Sequence, residues 1–344
     1  MSEDMQRIIT KEELNAKIKE LLKENEIIIP KQLLNKGIFY QKILDTDNLV
    51  LAEGFATEPI KKFFLEPSSW IIKEGKDLEQ AQTKRIIIGA RPCEGRGLEL
   101  LDKIFDAEYK DNFYINNRQR TLIIGLACDG PDRCCFCASM GGSPVEARGM
   151  DALLYTPLEN FMEHKGNSLT GYTFADKYIV EVITDKAKDI FAPLGKELDA
   201  ETKKNWQKDK EKRINALQKK ISPPESMDDI FQSDYWKEVS QSCLSCGVCT
   251  YLCPTCHCFD LVDEARKRLR CYDGCAFADF TLETSGANPR PTKKERYRQR
   301  VYHKFDYFKK NFGENLCVGC GRCIRHCPVK IDIAEIVANA PIRL

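Results

Sequence analysis

The chain has 344 residues, 42% of them hydrophobic, which is enough for two or three domains with cores of their own. Its 53 Lys and Arg residues balance 52 Asp and Glu, and a net charge of +1 excludes the electrostatic footprint of a nucleic-acid binder or a polybasic membrane anchor. The opening MSEDMQRIITKEELNAK has no apolar signal core, and apolar runs such as 86–88 are too short to span a bilayer, so a cytoplasmic protein without direct membrane insertion is expected.

Thr10-Lys11-Glu12-Glu13 has the form of a capping box. Leu14, Ile18, Leu21 and Leu22 then recur at helical spacing and predict a helix over 11–24. Short β-branched and aromatic runs follow at 27–29, 49–51 and 70–72. Segments 85–89 and 121–125 are almost wholly apolar and end in glycine, as strands buried on both faces of a parallel sheet do. Leu98, Leu101, Ile104 and Phe105 keep helical spacing between them and complete a strand–helix–strand unit. Further strands are expected at 152–155 and 178–184. Residues 1–195 therefore read as an α/β domain with a mainly parallel sheet. Residues 196–225 read as a charged helical linker whose sparse apolar stripe is Trp206, Ile214, Leu217 and Ile221. Residues 226–344 carry two runs of four cysteines each ending in Cys-Pro, and on those read as a helical ferredoxin domain, with helices expected at 260–269 and 293–311.

Two runs of the form C-x2-C-x2-C-x3-C-P lie in that last region: Cys243, Cys246, Cys249, Cys253-Pro254 and Cys317, Cys320, Cys323, Cys327-Pro328. This is the two-cluster ferredoxin spacing, in which the fourth Cys of each run ligates the other cluster. It assigns one [4Fe–4S] cluster to Cys243, Cys246, Cys249 and Cys327, and a second to Cys253, Cys317, Cys320 and Cys323. Zinc is the competing metal, but it gives no reason for a third Cys at the same interval or for the Cys-Pro ending. Seventeen cysteines, clustered and odd in number, fit a reducing and oxygen-free setting better than a disulfide framework.

A third group lies in the α/β region: Cys93, Cys128, Cys134, Cys135 and Cys137. Cys93 and Cys128 each follow the carboxyl end of a predicted parallel strand, where open α/β sheets place ligands. Four of the five thiols are enough for a third [4Fe–4S] cluster, and one of Cys134 and Cys135 is then spare. Buried inert cysteines or zinc are the other readings of this group. Cys256 and Cys258 flank His257 after the first run, as ligands replacing Cys253 or as packing, and Cys271 and Cys275 fall in the expected helical spacer. The ring of His326 is placed to hydrogen-bond near Cys327. Gly95-Arg-Gly97 lacks the full dinucleotide fingerprint and reads as a tight strand-to-helix turn. Arg91 and Arg96 could balance the charge of a cluster at Cys93 or form surface pairs. No catalytic triad or carboxylate pair is discernible.

Gly89-Ala-Arg-Pro-Cys93, Cys128, Cys135-Phe-Cys137-Ala-Ser-Met-Gly141, the first run extended through Cys256-His-Cys258, Asn288-Pro-Arg-Pro and Glu295-Arg-Tyr-Arg298 occur in this order. Over about 85–330 the chain resembles the family of anaerobic sulfite reductase A-subunits and sulfhydrogenase (soluble NiFe hydrogenase) β subunits. The resemblance implies Cys93, Cys128, Cys135 and Cys137 as the third ligand set, with Cys134 spare. It implies an electron-transfer component, not catalytic alone. Such a component stands between a catalytic subunit of NiFe hydrogenase, siroheme sulfite reductase or heterodisulfide reductase type and a flavin (FAD or FMN) and NAD(P)H-binding subunit. The alternative is a scaffold protein whose metal sites are purely structural.

Overall fold

A computed structural model describes residues 5–33, 37–45, 54–77, 81–130, 132–156, 176–216 and 219–341. The strand expected at 49–51, Leu217 and His164 lie outside them. Strand β1 (Met5–Thr10) runs into helix α1 (Lys11–Leu21) through the expected capping box. The Thr10 hydroxyl accepts from the Glu13 amide at 3.1 Å, and the Glu13 carboxylate accepts from the Thr10 amide at 2.8 Å. The chain continues through β2 (Glu26–Leu33), β3 (Gly37–Lys42), β4 (Ser68–Lys73) and β5 (Lys76–Asp77). Next come β6 (Arg85–Ala90), α2 (Pro92–Phe105), α3 (Asn112–Gln119) and β7 (Thr121–Leu126). Then follow β8 (Ala152–Tyr155), β9 (Lys177–Val182), α4 (Asp185–Phe191), β10 (Lys196–Glu197) and α5 (Ala200–Asn215).

The large sheet has the order β10-β1-β9-β8-β7-β6-β2-β3. Its centre, β8-β7-β6-β2, is parallel, and every residue of β6 is buried. Its flanks are antiparallel, so the sheet is mixed rather than mainly parallel. Only three residues separate β2 from β3, a connection too short for a parallel crossover. One face packs on Leu14 and Ile18 of α1 and Phe191 of α4. The other packs on Leu98 and Leu101 of α2, Tyr114 of α3 and Trp206 of α5.

Helix α5 is thus more than a solvated linker. Trp206 is 2% exposed and meets Tyr155 of β8 edge-on at 5.2 Å, while Lys210 lies over its ring. A side chain that buries so much apolar surface costs about 3–5 kcal/mol when truncated to Ala. Trp206→Ala is expected to lose that amount in a urea titration of the α/β region followed by circular dichroism; a loss below about 1 kcal/mol would restore the free linker helix.

The C-terminal region begins with α6 (Tyr235–Ser240) and α7 (Val248–Tyr251). The helix expected at 260–269 is instead a β-hairpin, β11 (Phe259–Glu264) and β12 (Lys267–Tyr272). Glu, Ala, Arg, Lys and Leu give this stretch a helical composition, but propensity yields to pairing. β12 is hydrogen-bonded on one side to β11 and on the other to β4, almost 200 residues earlier, giving a second sheet of order β11-β12-β4-β5. Cys271 therefore sits on β12 and Cys275 in the turn after it. The helix expected at 293–311 forms as α8 (Lys293–Tyr302), a π-helical turn (His303–Tyr307) and α9 (Phe308–Phe312). Helices α10 (Arg322–Arg325) and α11 (Ile333–Ala338) end the described chain. Among the described residues no helix is long and apolar enough to cross a membrane.

Candidate metal centres

The two cysteine runs fold alike, each giving a loop that turns into a one-turn helix, α7 or α10, and the two helices pack together. Cys243, Cys246 and Cys249 of the first run and Cys327 of the second line one cavity of about 50 Å³, with Cys323 at its inner wall. Its other walls are apolar, among them Tyr297, Ile331 and Ile333. Backbone N–H groups aim at the sulfurs: Ser245 N lies 3.4 Å from Cys243 Sγ and Ile331 N 3.3 Å from Cys327 Sγ. The donor at Cys327 is thus a backbone amide, where the sequence suggests the His326 ring. Cys246 is exposed and stands beside Leu244, 62% exposed, so this end of the site meets solvent.

Cys253 of the first run and Cys317, Cys320 and Cys323 of the second line a smaller, deeper cavity of about 10 Å³. Burial pushes the free Cys317 thiol up to about 12. Such a thiol becomes a ligand by giving its proton up to a metal, not by standing ionised in advance. Around this cavity Lys61, Arg300 and Lys304 are all buried, and among the described residues no carboxylate pairs with any of them. Their partners are neutral: Lys61 Nζ donates to Cys256 O at 2.7 Å, Lys304 Nζ to Thr255 Oγ1 at 3.0 Å and Arg300 to Cys249 O at 2.9 Å. Buried cations need a nearby anion. Thiolates carrying a [4Fe–4S] group supply one, so the donor set, the amide-to-sulfur contacts and the charge all fit that cofactor. Among the described residues no three His, Cys, Asp or Glu side chains are set to hold a single metal ion. Thiols that embrace a cubane stand further apart than those chelating one zinc.

The third group lies where β6 and β7 end. Cys93 is in the first turn of α2 and Cys128 two residues past β7, and both are buried. Burial and the neighbouring thiols of Cys320 and Cys128 raise the Cys93 thiol well above its ordinary range, opposed by Arg322. Burial, with Cys128 beside it, pushes Cys137 up to about 12. Cys128 thus lies within electrostatic reach of both Cys93 and Cys137. Cys135 instead turns its sulfur to the Asp132 carboxylate at 3.4 Å and to the Cys320 carbonyl at 3.9 Å. Cys134 is half-buried and packs in the C-terminal core. Arg91 and Arg96 are both buried; Arg96 pairs with the part-exposed Glu314 at 3.6 Å, and Arg91 ties α2 to the end of β7 by donating to Ala127 O at 2.8 Å. Gly95 serves packing, since a Cβ there would sit 2.5 Å from Arg148 O.

This third loop leans on the second run. Phe136 N donates to Gly319 O at 2.8 Å, and a Cβ on Gly319 would come within 2.6 Å of the Phe136 backbone. Below the contact lies a buried ion pair, Arg322 Nη2 to Glu94 Oε1 at 2.9 Å, both side chains fully buried. Arg322 Nη1 lies 3.9 Å from Cys93 Sγ, so one guanidinium touches both thiol groups' surroundings. Spacing alone does not single out Glu94, Arg322, Lys61 or Lys304. Each sits among other charged residues, as in Arg322-Cys-Ile-Arg325, so no local pattern marks them.

A family model described as a 4Fe-4S dicluster domain matches residues 242–331, and together with the two thiol-lined cavities it defines an iron–sulfur electron-transfer protein. The chain is 31% identical over 315 residues to sulfhydrogenase 2 subunit beta of Pyrococcus furiosus, an alignment that covers 88% of this chain and 89% of that relative. It belongs to the sulfhydrogenase β-subunit family. No solved structure matches it.

Proposed function

We propose that this chain is the iron–sulfur electron-transfer subunit of a hydrogenase-type complex, relaying electrons between a flavin- and NAD(P)H-binding partner and a catalytic subunit. The relative's name makes that protein one subunit of a sulfhydrogenase. The observation that carries the reading is the direct packing of the 134–137 loop on the second cysteine run through Phe136 N and Gly319 O. It supports reading the three thiol groups as a series from the sheet edge to the exposed first run. The ligand sets are Cys243, Cys246, Cys249 and Cys327; Cys253, Cys317, Cys320 and Cys323; and Cys93, Cys128, Cys135 and Cys137. In the third, Cys135 would exchange its contact with Asp132 for the metal. A bound [4Fe–4S] group supplies one-electron chemistry at a potential tuned by hydrogen bonds, charge and exposure. The chain's own residues do that tuning: Ser245 and Ile331 amides bond sulfur, Lys61, Arg300 and Lys304 supply positive charge, and the apolar walls exclude water. The reducing, anaerobic cytoplasm suits seventeen free cysteines.

Protein purified without oxygen is expected to carry at least about twelve irons with matching sulfide and a visible band bleached by dithionite. Zinc without sulfide would sink the proposal in favour of a scaffold with structural metals. Cys93→Ala is expected to hold about four irons fewer than the parent chain; unchanged iron would remove Cys93 from the third set.

A further inference from the structure

Three cysteines left over from these sets gather in one place. Cys256, Cys258 and Cys275 line a single buried cavity of about 10 Å³ with His257 and His303. Three separate pieces of chain deliver them. Cys256 and Cys258 lie on the segment from the first run into β11. The β11–β12 hairpin closes with Asp273 N donating to Cys258 O, and this brings the turn holding Cys275 beside Cys258. His303 is the first residue of the π-helical turn, an irregularity that re-aims side chains along a helix and recurs at functional sites. Cys271 stays apart, with its sulfur turned to Asp260 O at 4.0 Å.

The surroundings ask for an anionic, sulfur-rich occupant. Arg300 Nη1 lies 3.3 Å from Cys256 Sγ, and Lys304 lines the same cavity. Lys61 caps it through the Cys256 carbonyl. The Thr250 hydroxyl, on a residue 4% exposed, faces the cavity with no hydrogen-bond partner. A buried donor without an acceptor costs stability unless a ligand satisfies it. No carboxylate or exposed amide lines the cavity to suit a hard cation. Both imidazoles line the cavity: His257 Nδ1 lies 3.1 Å from Thr255 O, a contact that leaves its Nε2 open to ligate, and the His303 ring lies edge-on to it at 5.3 Å.

We propose that Cys256, Cys258, Cys275 and one imidazole of the His257–His303 pair hold an additional [4Fe–4S] cluster. It lies beside the second cluster, joined to it by the short segment Cys253-Pro254-Thr255-Cys256. Arg300 and the Thr250 hydroxyl bond its sulfur, and Lys61 and Lys304 offset its charge. The proposal shares the premise that this chain binds iron–sulfur clusters, but it uses none of the twelve cysteines assigned above.

The test uses the full chain, purified anaerobically. Cys275→Ser is expected to carry about four irons and four sulfides fewer than the parent, and the loss adds to that of Cys93→Ala. In the unsubstituted, reduced protein, pulsed paramagnetic resonance is expected to show an imidazole nitrogen coupling on one cluster that disappears in either His257→Ala or His303→Ala, which identifies the ligand. Unchanged iron and sulfide in Cys275→Ser overturns the proposal, as does loss of zinc without sulfide. Absence of the nitrogen coupling from the parent protein overturns it independently, even where a variant fails to fold. A Cys93 variant that keeps its iron would touch only the third set, and a Cys275 variant that keeps its iron only this one.

Discussion

Cys327→Ala paired with Cys243→Ala is expected to cost about four irons, while Cys327→Ala paired with Cys317→Ala is expected to cost about eight. The difference follows from which thiols share a cavity. Cys327 closes the one lined by Cys243, Cys246 and Cys249, and Cys253 closes the one lined by Cys317, Cys320 and Cys323. Two substitutions in one ligand set remove one cluster between them, and two in different sets remove one each. Ligation within each run would reverse the outcome, because Cys327 and Cys317 would then serve one cluster. Iron and sulfide per chain after anaerobic purification decide between them. The same logic makes Cys253→Ala with Cys317→Ala a four-iron pair, so the two halves of the exchange are tested separately. Stability should move in step, because apolar walls such as Tyr297 and Ile333 pack around the filled site.

Local chemistry is legible in the sequence and long-range pairing is not. The two runs place their own thiols because spacing of two residues lets each loop curl on itself, and the structure brings the cysteines of each expected set to a shared cavity. Cys93 and Cys128 are legible because β6 and β7 announce themselves as buried strands and ligand sites follow the carboxyl ends of such strands. The hairpin at 259–272 is not legible, since its partner β4 is remote in the chain and its composition favours helix. A helix there would also hide the Cys256, Cys258 and Cys275 cavity, which exists only because β11 and β12 fold back on each other. Lys61 and Lys304 converge on the Thr255–Cys256 segment from positions over 240 residues apart, and no window of sequence joins them. Trp206 belongs to a sparse stripe in the sequence, and its partner Tyr155 is on a strand that periodicity places but does not orient.

The Glu94 carboxylate is where the α/β sheet and the second cysteine run are held together, and Glu94→Ala is expected to cost about 3–5 kcal/mol. Glu94 Oε1 accepts from Arg322 at 2.9 Å and from Ile60 N at 3.1 Å, while Oε2 accepts from Arg91 N at 2.8 Å and from the Tyr40 hydroxyl at 2.5 Å. Arg322 is bound in turn to Ala56 O at 3.0 Å. Removing the carboxylate strands a fully buried guanidinium and orphans three further donors, which is the expensive way to break such a pair. Replacing both partners together is cheaper, because no buried charge is left alone. Glu94→Ala with Arg322→Met is therefore expected to recover a large part of what Glu94→Ala alone loses, an interaction energy that a double-mutant cycle of these two substitutions reads directly. Anaerobic thermal unfolding of the cluster-loaded chain is the measurement. Costs that simply add would mean that Arg322 finds its counter-charge elsewhere, and the nearest source is the thiolates of Cys93 and Cys320. Loss of iron from both of those sets in Glu94→Ala, with the exposed first set intact, would place the ion pair as the strut that keeps the sheet edge and the second run in register.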